Sequence, residues 1–204
     1  MSTIQLTYFD TRGIAETARL LLKYGKIDFE DVRIKPADWP ALKDSTPTGK
    51  VPYLKVGSEI IVESNAINRF IAKRVGLAGK DEFEQAHVDA AADIVKDFYA
   101  AVAPWFYVAK GYREGDAASL KVEHFDKNVK LYLPLFQNLL KEANSGFLVK
   151  SGVTWADFVL TEFLLSLYQV DPTFLNEYPD LKEYLARIRT VPELKEYYAT
   201  RPEH

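Results

Sequence analysis

The chain has 204 residues, of which 48% are hydrophobic and 27% are charged, enough for one large or two small domains with buried cores. A formal net charge of −3 gives no sign of a nucleic-acid partner. No apolar run is long enough to span a bilayer and no N-terminal secretion signal is evident, so we expect no membrane association. Cysteine is absent, which excludes a disulfide framework, a cysteine nucleophile and a thiolate metal site, and which fits a cytoplasmic protein. Any thiol chemistry must therefore use a thiol that the substrate brings.

Strand and helix patterns alternate at the start of the chain. Residues 3–8 alternate as a strand, residues 14–24 have helical apolar spacing, and residues 29–34 alternate again. A short polar segment around Trp39 follows. With the hairpin and helix described next, this order predicts an α/β domain over residues 1–76.

A β-hairpin and a helix complete this domain. The apolar runs 53–56 and 60–62 are joined by Gly57-Ser58-Glu59, which predicts the hairpin. Ser64 is the expected N-cap of the helix that follows. The Val51-Pro52 bond precedes the first strand, and bonds of this type tolerate the cis form. A cis bond would turn the backbone N–H and C=O of Val51 outward, toward an extended peptide ligand.

The end of this hairpin offers complementary groups for an amino-acid-like ligand. A helix start at Ser64 binds a carboxylate through its backbone N–H groups and the helix dipole. The neighbouring Glu63 would take an ammonium group. A peptide backbone, a carboxylate and an ammonium together describe one end of a small peptide.

Beyond a predicted linker at residues 77–81, strand patterns largely vanish, and residues 82–204 are predicted to form an all-helical domain. A helical stripe runs from Phe83 to Trp105. A second long helix is predicted over residues 118–143, interrupted or kinked near Pro134.

A third helix start is predicted at Thr154. Thr154 and Asp157 have the spacing of a capping box, in which the two residues satisfy each other's backbone N–H groups. Further helical patterns cover residues 180–189 and 192–199. The prediction is a small α/β domain followed by an all-helical domain.

Five short motifs, weak singly but specific in their order and spacing, cover the chain. They are Leu6-Thr7-Tyr8-Phe9 with Arg12-Gly13, Ala37-Asp38-Trp39-Pro40, Gly49-Lys50-Val51-Pro52, Glu63-Ser64-Asn65-Ala66-Ile67 and Val153-Thr154-Trp155-Ala156-Asp157-Phe158. On these motifs the chain resembles a sigma-class glutathione transferase of invertebrate or nematode type. The resemblance implies a thioredoxin-like N-terminal domain, an all-α C-terminal domain and a homodimer. It also implies glutathione as co-substrate, its conjugation to small hydrophobic electrophiles, and reduction of organic peroxides as a further activity.

The resemblance gives Tyr8 the catalytic role. A free thiol has a pKa of ~8.5, so only a few per cent is thiolate at neutral pH. A phenol O–H directed at the sulfur stabilises the thiolate and lowers that pKa. From its position alone, Tyr8 would be interpreted as an ordinary half-buried strand residue, one of 12 tyrosines.

Further glutathione contacts are implied by the same resemblance. They are Trp39, Lys43, Gly49, Lys50, Val51, Pro52, Glu63, Ser64 and Asp97. The lysines and the indole N–H suit the two carboxylates of glutathione. Asp97 matches a family residue that reaches across the dimer to the ammonium group of the glutathione bound to the neighbouring subunit. For these charged residues the alternative is an ordinary solvated surface.

The hydrophobic substrate site is expected at Phe9, Ile14, Tyr99 and Trp105. Ile14 departs from the family pattern, because several sigma-class enzymes have an arginine there beside the sulfur. No metal is expected, because Lys96 lies within the acidic cluster that binds a divalent cation in vertebrate prostaglandin D synthases of this class.

Two alternative functions remain open. One is glutathione-dependent isomerisation of prostaglandin H to D, which the loss of the arginine at Ile14 puts in doubt. The other is a weakly active or non-catalytic protein, either a ligand carrier or a crystallin-like protein. A dead site is argued against by the retention of the motif residues Tyr8, Trp39, Lys50, Glu63 and Ser64. The absence of a long insertion in the helical domain argues against a crystallin.

Overall fold

A computed structural model describes residues 3–202 of the chain. Its first half has the predicted order of strands and helices. The elements are β1 (Ile4–Phe9), α1 (Glu16–Tyr24), β2 (Glu30–Ile34), the short α2 (Trp39–Leu42), β3 (Tyr53–Val56), β4 (Glu59–Val62) and α3 (Ser64–Val75). Short 3-10 turns precede α1, at Gly13–Ala15, and flank α2, at Pro36–Asp38 and Lys43–Ser45.

The four strands form one mixed sheet in the order β2-β1-β3-β4. β1 runs parallel to β2 and antiparallel to β3, and β3 pairs with β4 as the predicted hairpin. The second hairpin strand begins at Glu59, one residue earlier than its apolar run predicted, because Glu59 pairs with Val56. Leu6 and Leu54 face each other across β1 and β3 and are fully buried, which places the core of this unit against the sheet.

The predicted N-cap of α3 is wrong by one residue. Ser64 is the first helical residue, and Glu63 is the N-cap, although its side chain makes no capping hydrogen bond. The carbonyl of Glu63 accepts the first helical hydrogen bond from the N–H of Ile67 at 2.9 Å. Glu63 has φ +68° and ψ 122°, so the chain reverses direction there and the helix begins one residue later.

The second half is helical, as predicted. The helices are α4 (Glu82–Ala109), α5 (Ala117–Leu120), α6 (Lys127–Ala143), α7 (Trp155–Val170), α8 (Pro179–Arg189) and α9 (Lys195–Thr200). A π-helical segment, Lys121–Asp126, joins α5 to α6, and a 3-10 turn, Pro192–Leu194, precedes α9. α6 continues through Pro134, so the helix is not interrupted there, and within the predicted range 118–143 the departure from α-helical hydrogen bonding lies at the π-helical segment.

The capping box at the start of α7 is confirmed. Asp157 accepts hydrogen bonds from the backbone N–H of Thr154 at 2.7 Å and from its hydroxyl at 3.0 Å. The same carboxylate accepts from the N–H of Leu148 at 2.9 Å and the hydroxyl of Tyr184 at 3.0 Å. Asp157 is fully buried, so it joins the loop before α7 and a residue of α8 to the helix start.

The contacts between residues divide the described chain into two compact units. One comprises the residues up to Ala78 together with those from Arg189 on, and the other comprises residues 79–188. The predicted division, with a linker at 77–81 and a second domain at 82–204, differs mainly in the assignment of the C-terminal segment. That segment belongs with the first unit because the turn Pro192–Leu194 packs on α1.

Candidate active site

The sheet topology brings most of the predicted glutathione contacts to one edge. β1, β2 and β4 end at this edge, and β3 begins there, because β3 is antiparallel to its neighbours. Tyr53 pairs with both Thr7 and Val62. The next positions along the chain are Tyr8, Pro52 and Glu63, so these three residues follow one paired row at the same end of the sheet, with Pro52 and Glu63 just outside their strands. Residues far apart in the sequence are thus assembled by strand register.

Tyr8 lies at the C-terminal end of β1 and is half-buried. Its ring contacts that of Phe9 edge-on, with centroids 5.4 Å apart. The glycine after the β1 turn, Gly13, has φ +43°, and a β-carbon there would lie 2.7 Å from the Tyr8 hydroxyl oxygen. The backbone of Gly13 therefore forms one wall of the position that the phenol occupies.

Phe9 connects Tyr8 to the tryptophan predicted to bind glutathione. The rings of Phe9 and Trp39 meet edge-to-face at 5.1 Å with an interplanar angle of 76°. Trp39 is the first residue of α2 and remains partly exposed. Such edge-to-face pairs contribute about 0.5–1.5 kcal/mol beyond burial. The contact holds α2, which follows β2, beside the end of β1.

The two predicted cations are exposed. Lys43 follows α2, and its Cε lies 3.9 Å from the position of a β-carbon on Gly49. Gly49 has φ +67°, which favours glycine at the turn that leads to Lys50. The Val51–Pro52 bond is cis, and Pro52 is buried. Lys43 and Lys50 are therefore placed before the N-terminal end of β3, with side chains accessible to an anion.

Glu63 is exposed and has a backbone conformation that non-glycine residues rarely adopt. Such conformations cost about 1–3 kcal/mol and persist where the surrounding structure imposes them, commonly at ligand sites. Sequence patterns did not indicate this feature, since only a glycine or asparagine at this position would have signalled a positive φ. Immediately after it, α3 presents the N–H groups of its first turn, which have no acceptor within the helix.

α4 contains three predicted site residues, Asp97, Tyr99 and Trp105, and the turn after β1 contains a fourth, Ile14. Asp97 is exposed on α4, one turn after the exposed Asp93. Ile14 is also exposed, within the turn Gly13–Ala15. Tyr99 is half-buried, and its hydroxyl shares a 2.5 Å hydrogen bond with that of Tyr107, a contact that sequence reasoning missed.

Trp105 occupies a core position. It is 3% exposed, and its ring lies 4.0 Å from that of Phe125, centroid to centroid. Phe125 is itself buried. This packing favours a core role for Trp105 over the substrate-contacting role expected from the sequence.

Residues 3–202 contain neither a metal-ligand cluster nor a membrane-spanning helix. No three histidine or acidic side chains of this range are grouped as metal ligands. No helix within it is both long enough and apolar enough to cross a membrane.

Both halves of the chain match models of one family. Residues 4–73 match the glutathione S-transferase N-terminal domain, and residues 96–201 match the glutathione S-transferase C-terminal domain. A relative from Ascaris suum, glutathione S-transferase 1, is 41% identical over 202 residues, which cover 99% of this chain and 98% of the relative. The chain therefore belongs to the glutathione S-transferase family and is an enzyme, a glutathione S-transferase. The predicted fold class is thereby confirmed.

Solved structures support the same fold. A Nu-class glutathione transferase from Haemonchus contortus is 35% identical with a TM-score of 0.90, covering 99% of this chain and 98% of the other. The structure described as monomeric Na-GST-3, from the hookworm Necator americanus, is 38% identical with a TM-score of 0.93 at the same coverages. These neighbours extend beyond the sigma class and include a protein described as monomeric, so class and subunit number are parts of the proposal below.

Proposed function

We propose that this protein conjugates reduced glutathione to small hydrophobic electrophiles, with Tyr8 stabilising the glutathione thiolate. The placement of Tyr8 carries the proposal. Its phenol lies against the backbone of Gly13, at the end of the sheet where Pro52 precedes β3 and Glu63 follows β4. A hydroxyl fixed in this way can donate to an anion without reorganising, which is the property that makes such donors effective.

The remaining residues of the edge supply complementary groups for glutathione. The N–H groups at the start of α3 suit one carboxylate, and Glu63 suits the ammonium of the same end. Lys43, Lys50 and the indole of Trp39 suit the other carboxylate. The backbone of Val51 is proposed to bind the cysteinyl residue of glutathione, with Gly49 and Pro52 shaping the turn around it.

The chemical step is nucleophilic attack by sulfur. The glutathione thiol loses its proton to solvent, and the Tyr8 hydroxyl donates a hydrogen bond to the thiolate without transferring its own proton. With a chloronitrobenzene, the sulfur lone pair forms the S–C bond and chloride leaves with the C–Cl bonding pair. With an alkenal, sulfur adds to the β-carbon and a proton from solvent completes the adduct. We also propose that the thiolate reduces organic hydroperoxides, two glutathiones giving one disulfide, an alcohol and water.

We also propose which residues contact the hydrophobic electrophile and how the subunits associate. Phe9, Ile14 and Tyr99 are proposed to contact the hydrophobic substrate, and the packing of Trp105 leaves it outside this set. We propose a cytoplasmic homodimer of sigma-class type. In this dimer the exposed Asp97 would reach the glutathione ammonium of the partner subunit, so that each site would use two chains.

Substitution of Tyr8 by phenylalanine tests the thiolate role. The ring still packs on Phe9, so the fold is retained, while turnover falls by roughly 10–1000-fold through loss of one anion-stabilising donor. Glutathione affinity changes little, and the pKa of the bound thiol rises. Tyr24→Phe, which removes a hydroxyl from the last residue of α1, serves as the matched control. Parent-like turnover of Tyr8→Phe at pH 6.5, where thiolate is scarce, would refute the role.

A panel of co-substrates identifies the reaction. The panel contains a chloronitrobenzene, an alkenal, an organic hydroperoxide and the prostaglandin endoperoxide, each assayed with glutathione. Turnover of the first two supports conjugation. Turnover of the endoperoxide alone would instead support the isomerase. No turnover of any, with glutathione still bound, would support a ligand carrier.

A further inference from the structure

A largely buried ionic network joins α1 to the turn after β1, to β2 and to the C-terminal segment, all within the first compact unit. Its centre is Glu16, in the first turn of α1, with 1% exposure. One carboxylate oxygen, Oε2, accepts a hydrogen bond from Nη1 of Arg19 at 3.0 Å. The other, Oε1, accepts from the hydroxyl of Tyr197 and from Nη1 of Arg201, each at 2.9 Å. Glu16 therefore joins the start of α1 to the C-terminal segment.

Arg19 extends the network to the turn after β1. Its Nη1 donates to the carbonyl oxygens of Thr11 at 2.9 Å and Arg12 at 3.2 Å. Its Nε lies 3.1 Å from both carboxylate oxygens of Asp31, on β2. Arg19 is fully buried, and its contacts with Glu16 and the Arg12 carbonyl are buried as well, while Asp31 keeps partial access to solvent. One guanidinium thus holds the β1 turn, β2 and Glu16 together.

The turn that Arg19 holds leads to Gly13, whose backbone lies close to Tyr8. Thr11 and Arg12, whose carbonyls accept from Arg19, directly precede Gly13. A β-carbon at Gly13 would be within 2.7 Å of the Tyr8 ring and hydroxyl. Because no β-carbon fits between them, the Gly13 backbone and the Tyr8 phenol are close neighbours, and we expect a displacement of the turn to change the position of the phenol.

Stability alone does not account for a buried ionic network of this kind. Removing a carboxylate and a guanidinium from water is costly, and apolar replacements of similar volume are often as stable. Buried, directional hydrogen bonds hold the groups they join in defined positions. Burial, and next the charge of Glu16, raises the pKa of Tyr197, which therefore remains a protonated donor to the carboxylate.

We propose that Tyr197 and Arg201 are positioning residues for catalysis, which act through Glu16 and Arg19 to fix the Tyr8 hydroxyl against the substrate thiol. This inference rests on the proposed function, in which Tyr8 stabilises the glutathione thiolate. The C-terminal segment then controls how strongly the enzyme activates glutathione, without touching glutathione itself. We call this chain of contacts, from Tyr197 and Arg201 to the β1 turn, the relay.

The test compares Tyr197→Phe, Arg201→Gln and Arg201→Lys with the parent. For each full-length protein, kcat/KM with glutathione and a chloronitrobenzene is measured from pH 5.5 to 8.5, together with the KM for glutathione and the urea midpoint. Arg189→Gln is the matched control, since it removes an exposed positive charge in the same unit. Tyr8→Phe is the reference for complete loss of the phenol.

The relay predicts a loss of activity and a shift in its pH dependence, with little change in the KM for glutathione. Tyr197→Phe and Arg201→Gln raise the apparent pKa of the bound thiol and lower kcat/KM at pH 6.5 by about 2- to 30-fold, the range of indirect couplings. The KM for glutathione stays within about twofold, Arg201→Lys restores part of the loss, and Arg189→Gln matches the parent. If Arg201→Gln fails to fold, Tyr197→Phe carries the test, because it leaves both arginines on Glu16.

Two failures can be told apart. Parent-like pH profiles for Tyr197→Phe and Arg201→Gln, with lowered urea midpoints, would overturn the relay and leave a structural network, provided that Tyr8→Phe still shifts the profile. If Tyr8→Phe leaves the profile unchanged, the proposed role of Tyr8 fails, and the relay fails with it.

Discussion

Gly13 and Tyr8 are packed so closely that no side chain fits between them. A β-carbon on Gly13 would lie 2.7 Å from both the hydroxyl oxygen and Cε1 of Tyr8. Gly13 also has φ +43°, a conformation in which L-residues with side chains are strained. The glycine of the Arg12-Gly13 motif is therefore required by the site as well as by the backbone.

Gly13→Ala is expected to lower kcat/KM by about 10- to 100-fold, because a displacement of the phenol by about 1 Å is costly. It should also destabilise the fold by about 1–2 kcal/mol through the left-handed backbone. Steady-state kinetics and urea denaturation measure the two effects. Gly76→Ala is the control, because Gly76 has φ +77° and open space around its β-carbon position. Equal losses of activity in the two variants would show that contact with Tyr8 is unimportant.

Replacement of Glu63 by glycine is expected to raise the stability of the fold and to weaken glutathione binding. Glu63→Gly removes the cost of φ +68°, so the free energy of unfolding should rise by up to about 2 kcal/mol. The same change removes the carboxylate proposed to pair with the glutathione ammonium, so glutathione binding should weaken by about 1–3 kcal/mol. Glu63→Gln is the control, since it should weaken binding while leaving stability unchanged. Destabilisation by Glu63→Gly would show that the backbone there is not strained.

Removal of either partner of the α7 capping box should destabilise, but unequally. Thr154→Ala should cost about 0.5–2 kcal/mol, the usual effect of losing a cap. Asp157→Ala should cost more, because it also leaves the N–H of Leu148 and the hydroxyl of Tyr184 without this acceptor. Activity per folded molecule should survive in both. Urea denaturation measures the costs, and an Asp157→Ala protein as stable as Thr154→Ala would contradict the wider role of the carboxylate.

Asp157 should also make stability depend on pH. Burial raises its pKa to about 6, against the lowering effect of its hydrogen-bond donors. Because the folded state then binds the proton more tightly than the unfolded state, the contribution of Asp157 is greatest below its ordinary pKa of 3.8 and is lost as pH rises through about 6. The stability of the parent minus that of Asp157→Asn should therefore fall by about 2 kcal/mol between pH 4 and pH 7. If the stability difference instead rises with pH, the hydrogen-bond donors to Asp157 lower its pKa by more than burial raises it.

Local patterns were sufficient to predict the individual strands, the hairpin and the capping box, since each depends on residues close to one another in the sequence, such as Tyr53 and Val62 in the hairpin. The π-helical segment Lys121–Asp126 was missed because its residues have ordinary helical spacing. The network around Glu16 was also missed, because Tyr197 lies 181 residues away and only tertiary structure brings it near. The one local signal was a charged pair, Glu16 and Arg19, within an apolar helix. The glutathione contacts rest on motifs that resemble a known family and stay a prediction; strand register accounts for their meeting at one end of the sheet. No such motif marked the network around Glu16.

The proposed sharing of the active site between subunits leads to a prediction for Asp97. Asp97→Ala should weaken glutathione binding by about 1–2 kcal/mol, the cost of losing a charged hydrogen bond. Asp93→Ala, which removes an equally exposed carboxylate one turn earlier on α4, should do much less. Calorimetric titration of glutathione into each variant measures the difference. If both variants bind glutathione as the parent does, Asp97 is an ordinary surface residue.

Mixed dimers show which subunit Asp97 serves. A Tyr8→Phe subunit is paired with an Asp97→Ala subunit, and kcat and the KM for glutathione are measured on the purified heterodimer. If Asp97 crosses the interface, one site carries both lesions and the other carries neither. The heterodimer then keeps about half the parent activity with parent-like KM. If Asp97 serves its own subunit, each site carries one lesion, and the remaining activity shows the raised KM of Asp97→Ala. A monomeric protein would form no heterodimer and would exclude the shared site outright.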